Sequence, residues 1–337
     1  MTFNHSHHHI FHNPYTMKNL LEKVNAALEG VAYPKIPEGL YEPIQYALSM
    51  GGKRIRPTLL LLCHSLYSDD TDHAIAAALA IETYHNHTLL HDDVMDNADV
   101  RRGMPTVHKK WDANTAILSG DAMLITAFKH VAEYSGSVQE ELLQLFIKTT
   151  LEVCEGQQYD MNFERLECVG IAEYLEMIRL KTSVLLACAA KMGAITGGAP
   201  RTEADMLYAF AEKVGLAFQL QDDLLDTYGD PAVFGKNIGG DILCAKKTYL
   251  LLTALQKANA AQKAELQKLL ADKIISPSEK IEKVIALYNQ LHVAKDCEEA
   301  IEAYYHEARY IYEILPIHES KKAPLWQWAE SLMNREK

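Results

Sequence analysis

The chain has 337 residues, 48% hydrophobic and 23% charged, with a formal net charge of −12. That balance suits a globular protein with a sizeable core. It excludes general nucleic-acid binding, because the basic residues are scattered rather than gathered on one stripe. No apolar run, Leu59–Cys63 and Ala74–Ile81 included, approaches the ~20 residues needed to span a bilayer.

In chain order, the histidine-rich opening "HSHHHIFH" lies ahead of any helical pattern. It has no basic segment followed by an apolar one, so it is not a secretory signal. Residues 1–16 are expected to be a disordered extension, with the folded domain occupying 17–337. Helical periodicity then dominates and alternating strand patterns are nearly absent. Leu20, Leu21, Val24, Ala27 and Leu28 form one amphipathic stripe, and Leu40, Ile44, Ala47 and Leu48 begin a second. Further helices are predicted over 57–68, 72–97, 112–134, 137–164, 171–196, 202–227, 246–270, 277–293, 294–314 and 323–335. Prolines and glycines fall between these stretches, and none marks a long linker. The fold class is therefore all-α, a single domain of ten or more helices. Cys63, Cys154, Cys168, Cys188, Cys244 and Cys297 lack C-x-x-C spacing and read as buried, reduced thiols of a cytoplasmic protein.

Two acidic clusters stand out. "LLHDDVMD" carries Asp92, Asp93 and Asp96, and "FQLQDDLLD" repeats the spacing with Asp222, Asp223 and Asp226. In a helix the first and last aspartate of each cluster project from one face. At an effective dielectric of about 20, two such charges 4 Å apart repel by roughly 4 kcal/mol. A single D-D-x-x-D is usually a solvated face, but two copies on otherwise apolar helices point to a hard divalent cation. Oxygen-only ligands select Mg²⁺, which completes its coordination with substrate phosphates.

Cations for those phosphates are at hand. "GGKRIRP" supplies Lys53, Arg54 and Arg56 at a helix start, where free N–H groups add to the attraction for an anion. "RRGMPTVH" places Arg101 and Arg102 just after the first acidic cluster. His85 lies about two turns before Asp92 and can share its face. Lys181-Thr182 and Lys236 are weaker signals, since a lone lysine on a helix is usually a surface charge.

Taken in order, "GGKRIRP", "HDDVMDNADVRRGMPTVH", "KTS", "FQLQDDLLD" and "FGKNIGGDILCAKKTYL" resemble the trans-isoprenyl diphosphate synthases of the farnesyl/geranylgeranyl type. The resemblance covers roughly 35–250 densely. It implies an isoprenoid-synthase helical bundle with a central cavity, a homodimer, and about three Mg²⁺ ions held by Asp92 and Asp96 facing Asp222, with Asp226 in support. It further implies that Arg101, Lys181, Thr182, Gln219 and Lys236 hold an allylic diphosphate, and that Lys53, Arg56, His85 and Arg102 hold isopentenyl diphosphate. The implied reaction ionises the allylic C–O bond, adds the isopentenyl double bond to the cation and loses a proton. Bulk just upstream of the first cluster sets product length in that family. Here Thr88, His87 and Tyr84 occupy those positions, with Tyr84 as the expected floor and a C15–C20 product as the expected outcome.

A longer-chain synthase, a terpene cyclase and a non-catalytic synthase subunit are the alternatives. The cyclase has no second diphosphate to hold with "GGKRIRP", and a non-catalytic subunit would lack intact aspartate clusters. A di-iron bundle would need a second Glu-x-x-His beside Glu82-x-x-His85, and the sequence has none.

Overall fold

A computed structural model describes residues 16–234 and 238–334. The chain opens with α1 (Met17–Glu29), capped by Thr16, whose hydroxyl accepts the Asn19 N–H at 3.3 Å. It buries Leu20, Val24 and Leu28 of the predicted stripe and leaves Leu21 and Ala27 half-buried at its edges. Next come α2 (Glu38–Ser49), α3 (Ile55–Ser65) and, after one 3₁₀ turn at Thr71–Ala74, α4 (Ile75–Met95). A two-residue hairpin, β1 (Val100–Arg101) with β2 (Met104–Pro105), pairs Val100 with Pro105, a small exception to the expected absence of strands.

The chain continues as α5 (Val107–Lys110), α6 (Ala113–Val131), α7 (Gly136–Phe163), α8 (Ile171–Ile178), α9 (Val184–Gly197) and α10 (Arg201–Tyr228). It closes with α11 (Pro231–Phe234), α12 (Gly240–Leu243), α13 (Tyr249–Lys257), α14 (Ala260–Ala271), α15 (Pro277–Gln290), α16 (Val293–Ile314) and α17 (Glu319–Met333). The fold is all-α, as expected. Among the described residues no helix is long and apolar enough to cross a membrane.

The helices at the centre are the ones that are apolar on every side. All nine residues from Pro57 to Ser65 on α3 are buried, as is most of α9, so neither has a solvated face. They pack so closely that a Cβ on Gly193 would come within 2.1 Å of the Leu60 carbonyl. A second apolar cluster, built around Leu250, Leu266, Val284, Tyr288 and Val293, roofs the C-terminal half of α10.

Besides 72–97, which opens with the 3₁₀ turn, two predicted helices are not single α-helices. The stretch 246–270 breaks at Ala258 because Asn259 starts a new helix, its side chain accepting the Gln262 N–H while Gln262 accepts the Asn259 N–H. The stretch 171–196 contains a π turn at Arg179–Ser183 between α8 and α9. That turn is gripped by two glycines on neighbouring helices. A Cβ on Gly156 of α7 would come within 2.4 Å of the Lys181 backbone nitrogen, and one on Gly215 of α10 within 3.0 Å of Ser183. The cysteine expectation also needs correction. All six are free, but only Cys63, Cys188 and Cys297 are buried, while Cys154, Cys168 and Cys244 lie on exposed helix faces or a loop.

Candidate active site

The last turns of α4 present the first aspartate cluster. Asp93 is turned inward, 6% exposed, and takes a bidentate grip from Arg101, with both N–H···O distances 2.8 Å. Asp92 is half-buried and Asp96 is exposed at the helix C-terminus. Burial raises the pKa of Asp92, and Asp96 and Asp93 add to that, while Lys181 and Arg101 oppose it. The crowding inferred from the sequence is therefore real.

The second cluster repeats the arrangement on α10. Asp223, 1% exposed, accepts hydrogen bonds from the Tyr174 hydroxyl and from the Tyr249 N–H at 3.2 Å. Burial pushes its carboxyl up to about 6 despite those donors. Asp222 and Asp226 are half-exposed, and one Asp226 oxygen accepts the Asp241 N–H at 2.9 Å. In each cluster the protein satisfies the middle carboxylate and leaves the outer two closer to solvent.

Lys181 joins the clusters as the resemblance implied, together with Lys246 and Asp160, to which the sequence reading gave no role. Lys181, on the π turn, donates to Asp160 Oδ2 at 2.6 Å and is the leading positive charge felt by Asp92. Burial opposes the charge of Lys246, but Asp241, Asp223, Asp160 and Asp226 more than offset that and raise its pKa. Asp160 thus lies in the field of a lysine from each side. A lone aspartate on an amphipathic helix gives no sequence signal for such a role.

The basic residues divide into structural and site-facing groups. Arg54, counted with the phosphate cations in the sequence, is instead 5% exposed. It pairs with Glu82 at 2.7 Å and donates to the Leu48 carbonyl at 2.5 Å and to Asn25 at 3.3 Å. Lys53, Arg56, His85 and Arg102 line a cavity of about 430 Å³, and the buried Arg54–Glu82 pair forms part of its wall. Arg102 donates to the Gly51 carbonyl, tying the hairpin to the "GGKRIRP" loop. Arg56 lies 3.3 Å from His85 Nε2. Since a guanidinium only donates, that nitrogen is the acceptor. Burial, then Arg56, Arg102, Arg101 and Arg54, hold the His85 pKa well below its usual value, so the ring is neutral. Burial pushes Arg56 down to about 10, with Glu82 acting against that and Arg102 with it.

A second cavity of about 380 Å³ is lined by Asp92, Lys181, Thr182, Tyr84, His87 and Thr88, and shares Arg56 and His85 with the first. Its inner end is aromatic. Tyr84, 2% exposed, meets Phe146 edge-on at 5.6 Å, and Phe146 meets Phe128 at 4.9 Å. The His87 Nδ1–H donates to the Gly120 carbonyl at 2.9 Å, and burial pushes the ring's pKa down to about 4. Gln219 sits half-buried one turn before Asp222, and Lys236 lies outside the described residues.

Among the described residues no three His, Cys, Asp or Glu side chains form a group that could hold a metal ion alone. The donor set nevertheless fits Mg²⁺, which takes one or two carboxylates and completes its octahedron with water and phosphate oxygens. Asp92 and Asp96 on one side and Asp222 and Asp226 on the other supply hard oxygen ligands of that kind.

Comparison with known proteins gives one consistent result. Residues 37–289 match the family model described as polyprenyl synthetase. The chain is 39% identical over 279 residues to the short chain isoprenyl diphosphate synthase of Methanocaldococcus jannaschii, covering 82% of this chain and 84% of that one. It is 40% identical over 243 residues to the geranylgeranyl diphosphate synthase of Methanosarcina mazei, covering 72% and 75%. A crystal structure of a geranylgeranyl pyrophosphate synthase superposes with a TM-score of 0.89 at 44% identity, covering 96% of this chain and 99% of that chain. The polyprenyl synthase of Caulobacter crescentus, solved with calcium and isoprenyl diphosphate, superposes with a TM-score of 0.83 at 25% identity, covering 95% and 96%.

Proposed function

The chain belongs to the polyprenyl synthetase family and is a Mg²⁺-dependent short-chain trans-prenyl diphosphate synthase, and we propose that its two cavities divide the reaction between them. The observation that carries this reading is the shared wall: Arg56 and His85 line both the basic cavity and the cavity that contains Asp92 and Lys181.

In this reading isopentenyl diphosphate takes the basic cavity. Lys53, Arg56 and Arg102 bind its phosphates as cations, and neutral His85 donates through Nδ1–H. The allylic diphosphate takes the other, held by Lys181, Thr182, Gln219, Lys236 and Arg101. Arg101 is engaged by Asp93 and keeps part of its fork for the ligand. Mg²⁺, about three ions, would be held by Asp92, Asp96 and Asp222 with Asp226 in support, and supplies positive charge that stabilises the departing diphosphate.

The lysines do the same from the protein side, placed before the reaction begins. Ionisation leaves an allylic cation whose C1 is attacked by the isopentenyl double bond, and the proton lost afterwards goes to the released diphosphate. The chain needs no nucleophilic side chain. Its remaining task is to exclude water, which the aromatic inner end of the cavity serves. Tyr84, with His87 and Thr88 above it, closes the space available to the prenyl tail and keeps the product at C15–C20.

We assign the working form as a homodimer. Ile117, Leu118 and Ile125 on α6 and Leu143, Ile147 and Leu151 on α7 are all exposed, an apolar extent that a second copy would cover. The unpaired cysteines and the lack of a membrane-crossing helix among the described residues suit a cytoplasmic enzyme.

The test is direct: purified protein with Mg²⁺, labelled isopentenyl diphosphate and dimethylallyl, geranyl or farnesyl diphosphate in turn, with products sized by chromatography. Incorporation into C15–C20 diphosphates supports the reading. No incorporation with any primer removes it.

A further inference from the structure

The C-terminal helix α17 touches the site at two points, one in each half. Its buried face carries Leu325, Trp328, Ala329 and Leu332 at the helical spacing expected of a core-facing stripe. From that face the Trp328 indole N–H donates to the Ile55 carbonyl at 3.3 Å. Ile55 is the first residue of α3 and stands between Arg54 and Arg56, so this bond fixes the helix start that carries the basic cavity. At the other contact, Gln221 Nε2 donates to the Met333 carbonyl at 2.6 Å. Met333 is the last residue of α17, where carbonyls have no partner within the helix, so Gln221 caps the helix from outside. Gln221 immediately precedes Asp222. Five residues separate the two anchors along α17, a rise of roughly 7.5 Å at 1.5 Å per residue.

We propose that Trp328 and Gln221 are positioning residues that use the last turns of α17 as a rigid spacer between the diphosphate-binding start of α3 and the second aspartate cluster on α10. The inference rests on the assignment of isopentenyl diphosphate to the basic cavity and of Asp222 to the metal-binding half. α3 and α10 both pack on α9, and each half binds its own ligand. The spacer sets the distance between them, which matters only when both substrates must meet. An error of about 1 Å between reacting groups is enough to lower turnover by roughly 100-fold.

The experiment uses the full-length enzyme with Gln221→Leu, Trp328→Phe and the double variant. Leucine keeps the volume of Gln221 and removes both the donor and an Oε1 that is buried without a partner. Phenylalanine keeps an aromatic ring and removes the indole N–H. For each protein three quantities are measured: the melting temperature, the affinity for isopentenyl diphosphate and for a non-hydrolysable allylic diphosphate analogue separately, and kcat. The expected result is a melting temperature within a few degrees of wild type, single-ligand affinities within about threefold, and kcat lower by about tenfold or more. The double variant should lose little beyond the worse single variant, because both bonds hold the same spacer.

Unchanged kcat in both single variants overturns the proposal, as does a loss explained by weaker binding of one ligand. Additive losses in the double variant also overturn it. If Gln221→Leu unfolds, Gln221→Met, which keeps a similar volume, adds no charge and loses the donor, gives the same decision. A wild-type enzyme that incorporates no isopentenyl diphosphate would instead indicate failure of the functional assignment itself.

Discussion

Lys181 and Asp160 are joined by a hydrogen bond of 2.6 Å, and that pair is where the two aspartate clusters come within one electrostatic neighbourhood. Asp160 also acts on Lys246, which senses Asp223 and Asp226. Removing its charge while keeping its shape should leave both lysines misdirected. Asp160→Asn is expected to lower kcat by roughly 10- to 100-fold with little change in melting temperature, read by steady-state kinetics beside a thermal melt.

Asp92 is both crowded by its neighbours and assigned to the metal. Asp92→Ala should lower turnover by roughly 100-fold or more while leaving the fold intact or slightly more stable, since it removes a carboxylate that burial and Asp96 disfavour. Near-normal turnover at saturating Mg²⁺ would contradict the assignment.

Tyr84 closes the inner end of the cavity. Tyr84→Ala should shift the main product to a longer chain, and adding Phe146→Ala should shift it further, because the Phe146 ring stands directly behind. Product sizing from farnesyl diphosphate and isopentenyl diphosphate is the measurement, and an unchanged distribution in the double variant would place the floor elsewhere.

The pair Arg54–Glu82 is buried, with side-chain exposures of 4% and 3%. Arg54→Ala leaves the buried Glu82 carboxylate with a hydrogen bond from Asn86 at 3.1 Å and the field of Arg56 and Arg102, but without its close ion-pair partner. A loss of about 3–5 kcal/mol is expected from chemical denaturation. The same change made at exposed Lys53 should leave stability almost untouched and raise the KM for isopentenyl diphosphate.

His87 supplies a pH dependence. Its pKa falls from 6.5 to about 4 on folding, so the unfolded chain binds the proton more readily. Its contribution is present above pH 6.5 and is lost as pH falls toward 4, by roughly 3 kcal/mol at 1.36 kcal/mol per decade. His87→Phe should flatten that part of the melting-temperature profile between pH 6.5 and 4.

What could be read from the sequence followed from local rules. The D-D-x-x-D spacing, the apolar stripes and the all-α class need only helical periodicity, and they appear as expected on α4 and α10. What escaped was set by tertiary contact. Nothing in "RLKTS" announces a π turn, and the two glycines that let neighbouring helices approach it so closely, Gly156 and Gly215, lie elsewhere in the chain. Arg54 reads like its neighbours Lys53 and Arg56 until Glu82, 28 residues away, proves to be its partner. The break at Ala258 contains neither proline nor glycine, and its one local signal is Asn259 with Gln262 three residues on.

The bare positions 156 and 215 also say something about how this enzyme can be altered. A library that varies the charged and aromatic residues around the cavity explores chemistry, since long side chains there can move aside. The two glycines offer no such latitude, for even one methyl group at Gly156 would overlap the Lys181 main chain. Redesign for a new product is therefore best confined to the rings and hydroxyls lining the tail end, with these two points held fixed as the hinge pins on which the lysine's aim depends.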